Sequence, residues 1–277
     1  DPSSASAFGL GMANTVFSYE GAKSGVVADI AFGPRADDAN MAGAINQLYA
    51  YYNISESTTV TAGQFNTFLG YEVISPAANF NYSVSYLFNA GPFSHTGVKL
   101  DYAASEDLSF LVALTNGHGI ASDTGNVSGD VQFGAQVGYK GQYLNFIYGA
   151  DGGATDALYL DYTGGFDLSD SFYVGINAAY ANSDDAGAGY QGFALYLENT
   201  FSDTFALGLR PEFFTTTNEV DGDAKVMALT LTGSTQLDDN LKLITEFRYD
   251  SSDDKAIEAF ANEKNVSAIT LAAVYSF

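Results

Sequence analysis

The chain has 277 residues and a formal net charge of −23, which results from 33 acidic and 10 basic side chains. This acidic balance argues against nucleic-acid binding, and the absence of cysteine excludes disulfides and thiolate metal sites. No run of about 18 apolar residues is present to form a transmembrane helix, and the length suits one large all-β domain covering residues 1–277.

Short segments of alternating apolar and polar residues recur along the whole chain. Because successive side chains of a strand point to opposite faces, this pattern predicts β-strands. Most are close to the roughly 9–11 residues that a tilted strand needs to cross a bilayer. Fifteen strands are predicted, at 8–20, 24–34, 43–54, 57–67, 95–104, 107–117, 129–140, 142–151, 156–167, 170–183, 188–201, 203–216, 224–237, 240–251 and 265–277.

The connections between the predicted strands alternate in length. Tight turns built from Ser and Asp, such as Leu168–Ser171 and Leu237–Leu241, are followed by longer loops that are acidic or rich in glycine. Short turns on one side and long loops on the other are typical of the periplasmic turns and extracellular loops of outer-membrane barrels. The sequence therefore predicts an all-β, transmembrane antiparallel up-and-down β-barrel.

Charged residues of both signs recur within the predicted strands, always opposite an apolar face. In strand 240–251, for example, Leu243 and Phe247 share one face, whereas Glu246 and Arg248 share the other. A soluble β-sandwich would show the same alternation, but a barrel with a wet interior also explains the charges. In mid-membrane, an Arg or Lys facing lipid would cost about 2–4 kcal/mol. We therefore expect the polar faces to line a water-filled lumen.

One sector of four strands carries a particularly charged polar face. Its residues are Glu198, Arg210, Glu212, Glu246 and Arg248. They could provide the transverse electric field of a pore constriction, or they could form cross-strand ion pairs that simply satisfy the wall. The sequence leaves both interpretations open.

Residues 68–94 interrupt the alternation with a long loop rich in Asn, Ser and aromatic side chains. Loops of this length are usually functional or disordered, and the aromatic content argues against disorder. We expect an extracellular loop that folds into the lumen and narrows it. The residues predicted to line the pore or its constriction are Glu72, Asn79, Asn81, Tyr82, His95, Lys99, Asp101, Glu198, Arg210, Glu212, Glu246 and Arg248.

The last predicted strand ends on Phe277 and is apolar on one face, as is typical of the closing strand of an outer-membrane barrel. Single-chain bacterial barrels have even strand numbers, and counting back from Phe277 places Asp1 in an extracellular loop. About 16 strands are therefore expected, with one upstream of Asp1. A miscounted or split strand is the alternative.

Five stretches of the chain resemble a known family. They are Phe32–Arg35, Ile45–Tyr49, Gly63–Pro76, Asn79–Ser83 and Gly91–Gly97. Through them the chain is similar to the OmpL-like β-barrel porins, in the form common in Bacteroidetes outer membranes. Residues 45–97 are the specific part, and the remainder matches as barrel pattern and closing Phe277. The resemblance implies an outer-membrane channel of unassigned substrate, usually with one further strand before the position of Asp1.

Catalytic chemistry has little support in the sequence. Ser94 and His95 are neighbours, so in a strand they would point to opposite faces, and His118 is interpreted as a solvated loop residue. A barrel hydrolase that pairs His95 with Ser83 or Ser85 is kept as a minor alternative. We expect neither an enzyme nor a cofactor.

Acidic pairs in the long loops could bind calcium, but none has the ligand spacing of a dedicated calcium loop, and solvated charge is the preferred interpretation. The pairs are Asp37–Asp38, Asp184–Asp185, Asp221–Asp223 and Asp253–Asp254.

The function predicted from these patterns is a porin-like channel of the bacterial outer membrane, through which small hydrophilic solutes or ions diffuse passively. Seven acids and four bases assigned to the lumen predict a mild cation preference. They are Asp29, Asp101, Asp161, Glu198, Glu212, Glu246 and Asp250, with Lys99, Arg210, Lys242 and Arg248. The alternative is a plugged structural barrel that serves as a subunit or scaffold of an outer-membrane complex.

The expected partners are the lipid bilayer, lipopolysaccharide and small solutes or ions, and further copies of the chain or a larger envelope complex are also considered. No nucleic acid is expected.

Overall fold

A computed structural model describes residues 8–39, 43–117, 130–151, 154–184, 187–219, 222–252 and 264–277. Fifteen strands form one antiparallel sheet in which each strand pairs with the next in sequence. The strands are β1 (Ala13–Glu20), β2 (Ser24–Phe32), β3 (Ile45–Ser55), β4 (Thr58–Asn66), β5 (Ser94–Ala103), β6 (Leu108–Asn116), β7 (Val131–Tyr139), β8 (Gln142–Asp151), β9 (Ala154–Asp167), β10 (Phe172–Ser183), β11 (Gly189–Ser202), β12 (Phe205–Thr217), β13 (Ala224–Gln236), β14 (Leu241–Ser252) and β15 (Asn265–Tyr275).

This strand order confirms the predicted all-β, antiparallel up-and-down arrangement. The clearest difference is in β1, which begins at Ala13 rather than at residue 8. His118 and the pair Asp253–Asp254 lie outside the described residues, as do Asp185, Asp221 and the side chain of Asp38.

Within the described residues, two short helices interrupt the strands: α1 (Pro34–Ala39) follows β2, and α2 (Tyr86–Ala90) lies between β4 and β5. No helix among the described residues combines the length and apolar character that a membrane span requires.

The two ends of the strand order are β1 and β15. Most residues of both strands are exposed. β15 pairs with β14 from Leu241 opposite Tyr275 to Ser251 opposite Asn265. The expected sixteenth strand stays a prediction.

The two faces of the sheet differ as the alternation predicts. In β14, Glu246 is buried and is 2% exposed, whereas its neighbour Phe247 is 42% exposed. The same contrast separates Arg210 from Phe213 in β12. A large exposed apolar surface indicates a non-aqueous environment or a partner. We call the polar side of the sheet the inner face.

The main apolar cluster lies on the inner face. Leu69 and Leu87, from the chain between β4 and β5, pack with Tyr159, Tyr196 and Phe214 of the strands. The sheet therefore acquires its core from one inserted segment instead of from a second sheet. We call this segment, residues 68–94, the inner segment.

Candidate functional site

The inner segment leaves the sheet after β4 and crosses the inner face of β7 and of β9–β14, which we call the covered wall. Near its start, Gln136 of β7 donates to the carbonyl of Phe68 (3.1 Å). The amide of Gly70 then donates to Asp161 of β9 (2.9 Å). Further on, Asn81 donates to Thr232 of β13 (2.7 Å).

Glycines of the covered wall form sockets for side chains of the inner segment. A Cβ added at any of these glycines would lie 2.3–2.7 Å from the side chain above it, which is too close for van der Waals contact. The pairs are Gly134 with Phe68, Gly175 with Tyr71, Gly192 with Leu87, and Gly208 with Phe80. Glycine in a strand commonly marks such a close approach, and here it lets the inner segment lie directly on the sheet.

Aromatic stacking adds to this contact. The ring of Tyr71 stacks on that of Tyr196 with centroids 4.0 Å apart. Tyr86 stacks on Phe214 at 5.7 Å, and Phe214 in turn stacks on Tyr190 at 5.9 Å. Such pairs contribute about 0.5–1.5 kcal/mol each beyond the area that they bury.

Glu246 of β14 binds the main chain of the inner segment. Its two carboxylate oxygens accept hydrogen bonds from the amides of Tyr82 (2.9 Å) and Ser83 (3.1 Å). Thr232 of β13 also donates to Glu246, at 2.9 Å. Hydrogen bonds to a carboxylate are roughly twice as strong as neutral ones. Glu246 therefore fixes a stretch of backbone whatever side chains that stretch carries.

Glu212 of β12 performs the same task at the start of α2. It accepts the amides of Tyr86 (3.0 Å) and Leu87 (2.9 Å). The first amides of a helix have no partner within the helix, and they favour negative charge. Ser85 is the N-cap and accepts the amide of Phe88 at 3.0 Å. Wall and segment together cap this helix.

Two buried arginines of the covered wall also bind the main chain of the inner segment. Arg210 is fully buried, forms an ion pair with Glu72 and donates to the carbonyl of Ser83 (2.7 Å). Arg248 pairs with Asp250 (2.8 Å) and donates to the carbonyl of Val84 (2.7 Å). Buried charges are tolerated only when they are paired and hydrogen-bonded, and here the inner segment supplies part of that pairing.

A further arginine reaches the inner segment from outside the covered wall. Arg35 of α1 donates from Nε to the carbonyl of Ile74 (3.0 Å) and from Nη1 to the carbonyl of Tyr82 (2.7 Å). Its guanidinium also lies over the Tyr82 ring, 5.6 Å from the centroid. Burial lowers the pKa of Arg35, while Tyr82, Glu72 and Glu246 favour its charged form.

Several residues predicted to line the pore converge on this site. Those in contact with the inner segment or belonging to it are Glu72, Asn79, Asn81, Tyr82, His95, Arg210, Glu212, Glu246 and Arg248. Within the segment, Asn79 closes a turn by bonding both the amide (3.0 Å) and the carbonyl (2.6 Å) of Val73. Whether any of these residues lines a pore stays a prediction.

Of the remaining predicted site residues and His95, Lys99 and Asp101 lie on β5, Glu198 lies on β11, and His95 lies at the start of β5 next to the inner segment. Lys99 and Asp101 of β5 form a partly exposed ion pair (2.7 Å). Glu198 of β11 is half-buried. His95 is buried, with Nε2 2.8 Å from the Thr67 hydroxyl.

The histidine and the serines of the minor hydrolase alternative contact different partners. The ring of His95 stacks on Phe68 at 4.8 Å. The hydroxyl of Ser85 donates to Glu72, and Ser83 contacts Arg210. The described residues contain no group of three His, Cys, Asp or Glu side chains that could hold a metal ion.

Sequence reasoning missed Arg35 and the socket glycines. The glycines left a readable signal, because each falls on the polar face of a strand where a side chain would otherwise stand. Arg35 left no signal of its role, since its partners are backbone carbonyls 39 and 47 residues further along the chain.

Comparisons with known proteins show which family and which solved structures resemble this chain. Residues 2–277 match the family model described as "Putative beta-barrel porin-2, OmpL-like". No curated protein sequence is significantly similar to the chain.

Among solved structures, the outer membrane channel DcaP of Acinetobacter baumannii is similar with a TM-score of 0.64 at 14% identity, over 95% of this chain and 83% of that chain. The anion-selective porin from Comamonas acidovorans is similar with a TM-score of 0.62 at 11% identity, over 96% and 86%. The trimer form of OmpT from Vibrio cholerae gives 0.53 at 13% identity, over 88% and 82%.

Proposed function

The chain belongs to the OmpL-like β-barrel porin family, and from this premise we propose that it is a diffusion channel for small hydrophilic solutes or ions, narrowed by the inner segment. It is a β-barrel of the bacterial outer membrane, as its family and its structural neighbours are. The exposed apolar face then lies in lipid, and the inner face encloses the lumen.

One observation carries the proposal of a fixed constriction. The glutamates and arginines of the covered wall bind the main chain of residues 82–87 directly. A loop held by charge-assisted bonds at consecutive peptide groups keeps one position, as a constriction that sets the width of a pore must. The charged residues of this sector thus hold the constriction in place, in addition to any electric field that they create.

Conductance of the purified protein in planar bilayers tests this proposal. We expect steady single-channel currents, and a clearly larger conductance after deletion of residues 72–90. Equal conductance with and without these residues would contradict a role of the inner segment as the constriction. A deletion confined to the short turn Ser169–Ser171 serves as the control for shortening the chain.

We also propose a mild cation preference, because the lumen acids outnumber the lumen bases. One structural neighbour is described as anion-selective, but at 11% identity it shares only the fold. Selectivity must then follow from the charges of this chain. A zero-current potential in a salt gradient measures it, and an anion-selective sign would overturn the proposal.

The second candidate function is a plugged barrel that acts as a scaffold within an envelope complex. The observation in its favour is the breadth of the covered wall, which the inner segment packs with aromatic and aliphatic side chains. Absence of conductance in the full-length protein, together with copurifying partners, would favour it over the channel. Since one neighbour is described in a trimer form, cross-linking in detergent should also test a homo-oligomer.

A further inference from the structure

Arg35 lies on the short helix α1, which is hydrogen-bonded and packed at its start. The helix α1 begins directly after Gly33, whose φ of 106° is accessible to few other residues. The carbonyl of Gly33 accepts the amides of Ala36 (2.8 Å) and Asp37 (2.9 Å). Ala36 and Ala39 are buried. The buried alanines pack α1 against β2, and the guanidinium of Arg35 extends from this helix to the inner segment.

The two carbonyls that Arg35 binds belong to different limbs of the inner segment. We call the inner segment up to Ile74 the outgoing limb and the segment from Tyr82 onward the returning limb; residues 75–81, which include the turn in which Ala78 donates to the carbonyl of Ser75 (3.2 Å), lie between them. A planar guanidinium presents several N–H groups in a fixed fork, which suits it to hold two acceptors at once. Arg35 therefore joins the two limbs at the base of their turn.

Tyr82 is bound from two directions. Its carbonyl accepts from Arg35 of α1, which follows β2, and its amide donates to Glu246 of β14. Tyr82 thus connects α1, near the beginning of the strand order, with β14, near its end. Removing the bond to Arg35 would leave the returning limb attached to the covered wall only, and the outgoing limb without its carbonyl partner.

We propose that Arg35 is a positioning residue of the constriction, which clips the two limbs of the inner segment and holds the turn between them at a fixed place in the lumen. This inference rests on the proposed channel function. It predicts that loss of Arg35 converts a fixed constriction into a mobile one, while the anchors at Glu212 and Glu246 keep the segment attached to the wall.

The experiment measures mobility and current separately. The chain has no cysteine, so a nitroxide label can be attached at Ala77→Cys, in the exposed turn, and as a control at Ala104→Cys, in a short turn between β5 and β6. The labels are compared in the parent chain and in Arg35→Gln, Arg35→Lys and Lys23→Gln. Lys23→Gln removes one positive charge from an exposed turn. Heat-modifiable mobility in gels checks that each variant forms a barrel.

We expect Arg35→Gln to raise the mobile fraction of the Ala77→Cys label about tenfold or more, because two charge-assisted hydrogen bonds are lost. The Ala104→Cys label should not change, and Lys23→Gln should leave both labels unchanged. Arg35→Lys keeps the charge but lacks the fork. Its zero-current potential should match that of the parent chain, because the charge is kept. The Ala77→Cys label should nevertheless be as mobile as in Arg35→Gln, and the open-channel noise should rise to the same level as in Arg35→Gln.

An unchanged Ala77→Cys label in Arg35→Gln would overturn the proposal, as would full recovery of immobility in Arg35→Lys. Failure of the channel proposal looks different, since all variants would then be non-conducting. In that case the label alone still decides whether Arg35 holds the segment.

Discussion

The covered wall and the inner face of β2–β5, which we call the uncovered wall, use charged residues in different ways. On the covered wall, Glu212, Glu246 and Arg210 bind peptide groups that lie more than 120 residues away in sequence. On the uncovered wall, Lys99 pairs with Asp101 of the same strand. Mid-strand charge in this sheet therefore makes two kinds of contact: with an inserted segment distant in sequence, or with a charge on its own strand.

A second pair of residues makes the same contrast. Asp29 on the uncovered wall is buried by amide side chains of adjacent strands, with Asn46 at 2.6 Å and Gln47 at 3.1 Å. Asp161 on the covered wall accepts from Asn145 and Asn177 in the same way, but also from the amide of Gly70 in the inner segment. The two aspartates have similar neighbours in the sheet, and the inserted segment makes the difference.

The largest expected effect comes from breaking the buried ion pair. Arg210→Met leaves the Glu72 carboxylate buried without its partner, which costs about 3–5 kcal/mol. We expect the inner segment to detach from β12 and the conductance to increase several-fold. The matched control is Lys99→Met, because a partly exposed ion pair contributes only about 0–1 kcal/mol. Its conductance should change little beyond the lost charge.

The double variant Arg210→Met with Glu72→Gln sharpens this test. Removing both charges avoids the unpaired buried carboxylate, so part of the lost stability should return. Greater loss in the double variant than in Arg210→Met would contradict the assigned ion pair.

A smaller effect is expected from filling a socket. The Cβ of Gly208→Ala would lie 2.3 Å from the Phe80 ring, and such overpacking typically costs about 1–3 kcal/mol. We expect faster proteolysis within the inner segment and a lower thermal midpoint. Gly233→Ala on the neighbouring strand meets its nearest atom at 3.6 Å and should be nearly neutral. Equal effects at the two positions would refute the socket.

Glu246→Gln should loosen the segment locally. An amide side chain keeps the shape but has one acceptor oxygen, so one of the two main-chain bonds is lost. A hydrogen bond to a charged group contributes about 1.5–3 kcal/mol. Amide hydrogen exchange of Tyr82 and Ser83 should therefore accelerate about tenfold or more. Asp101→Asn on the uncovered wall should leave these two amides unchanged.

The smallest expected effect concerns pH at an exposed site. Asp184, outside the strands, accepts from the Thr155 hydroxyl and from the amides of Asp156 (3.1 Å) and Thr155 (2.9 Å). These bonds, with the Thr155 hydroxyl contributing most, lower the pKa of Asp184. A lowered pKa in the folded state means that the stabilisation is present above the unfolded value of about 3.9 and is lost as the pH falls through the lower folded value.

Acidification should therefore increase amide exchange at Thr155 only at strongly acidic pH. Asp184→Asn should remove this pH dependence. If the exchange at Thr155 already changes above about pH 5, a titrating group other than Asp184 is responsible.

Much of the fold was predictable because its signal is local. The alternation that sets Phe247 against Glu246 follows from the two-residue period of a strand, and it needs no knowledge of the partner strand. Turns such as Leu237–Leu241 are equally local. An antiparallel up-and-down order then follows when each strand pairs with its sequence neighbour.

The candidate site was predictable only in part. Alternation identified Glu212 and Glu246 as residues of the inner face, but it could not say that they bind backbone amides of the inner segment. Asn79 was assigned to the pore, and its contacts are with Val73 in its own turn. Arg35 was named only as the last residue of the family stretch Phe32–Arg35 and was given no role, since nothing in the neighbouring sequence indicates contacts with carbonyls 39 and 47 residues away.

The sequence by itself determined which side chains face inward, how many strands the described chain forms and that the protein belongs in the outer membrane. The tertiary structure decided what the inward charges do. The reason is physical: strand periodicity depends on neighbouring residues, whereas the bonds from Arg35, Glu212 and Glu246 to the inner segment form only after the sheet curves around it and removes those groups from water.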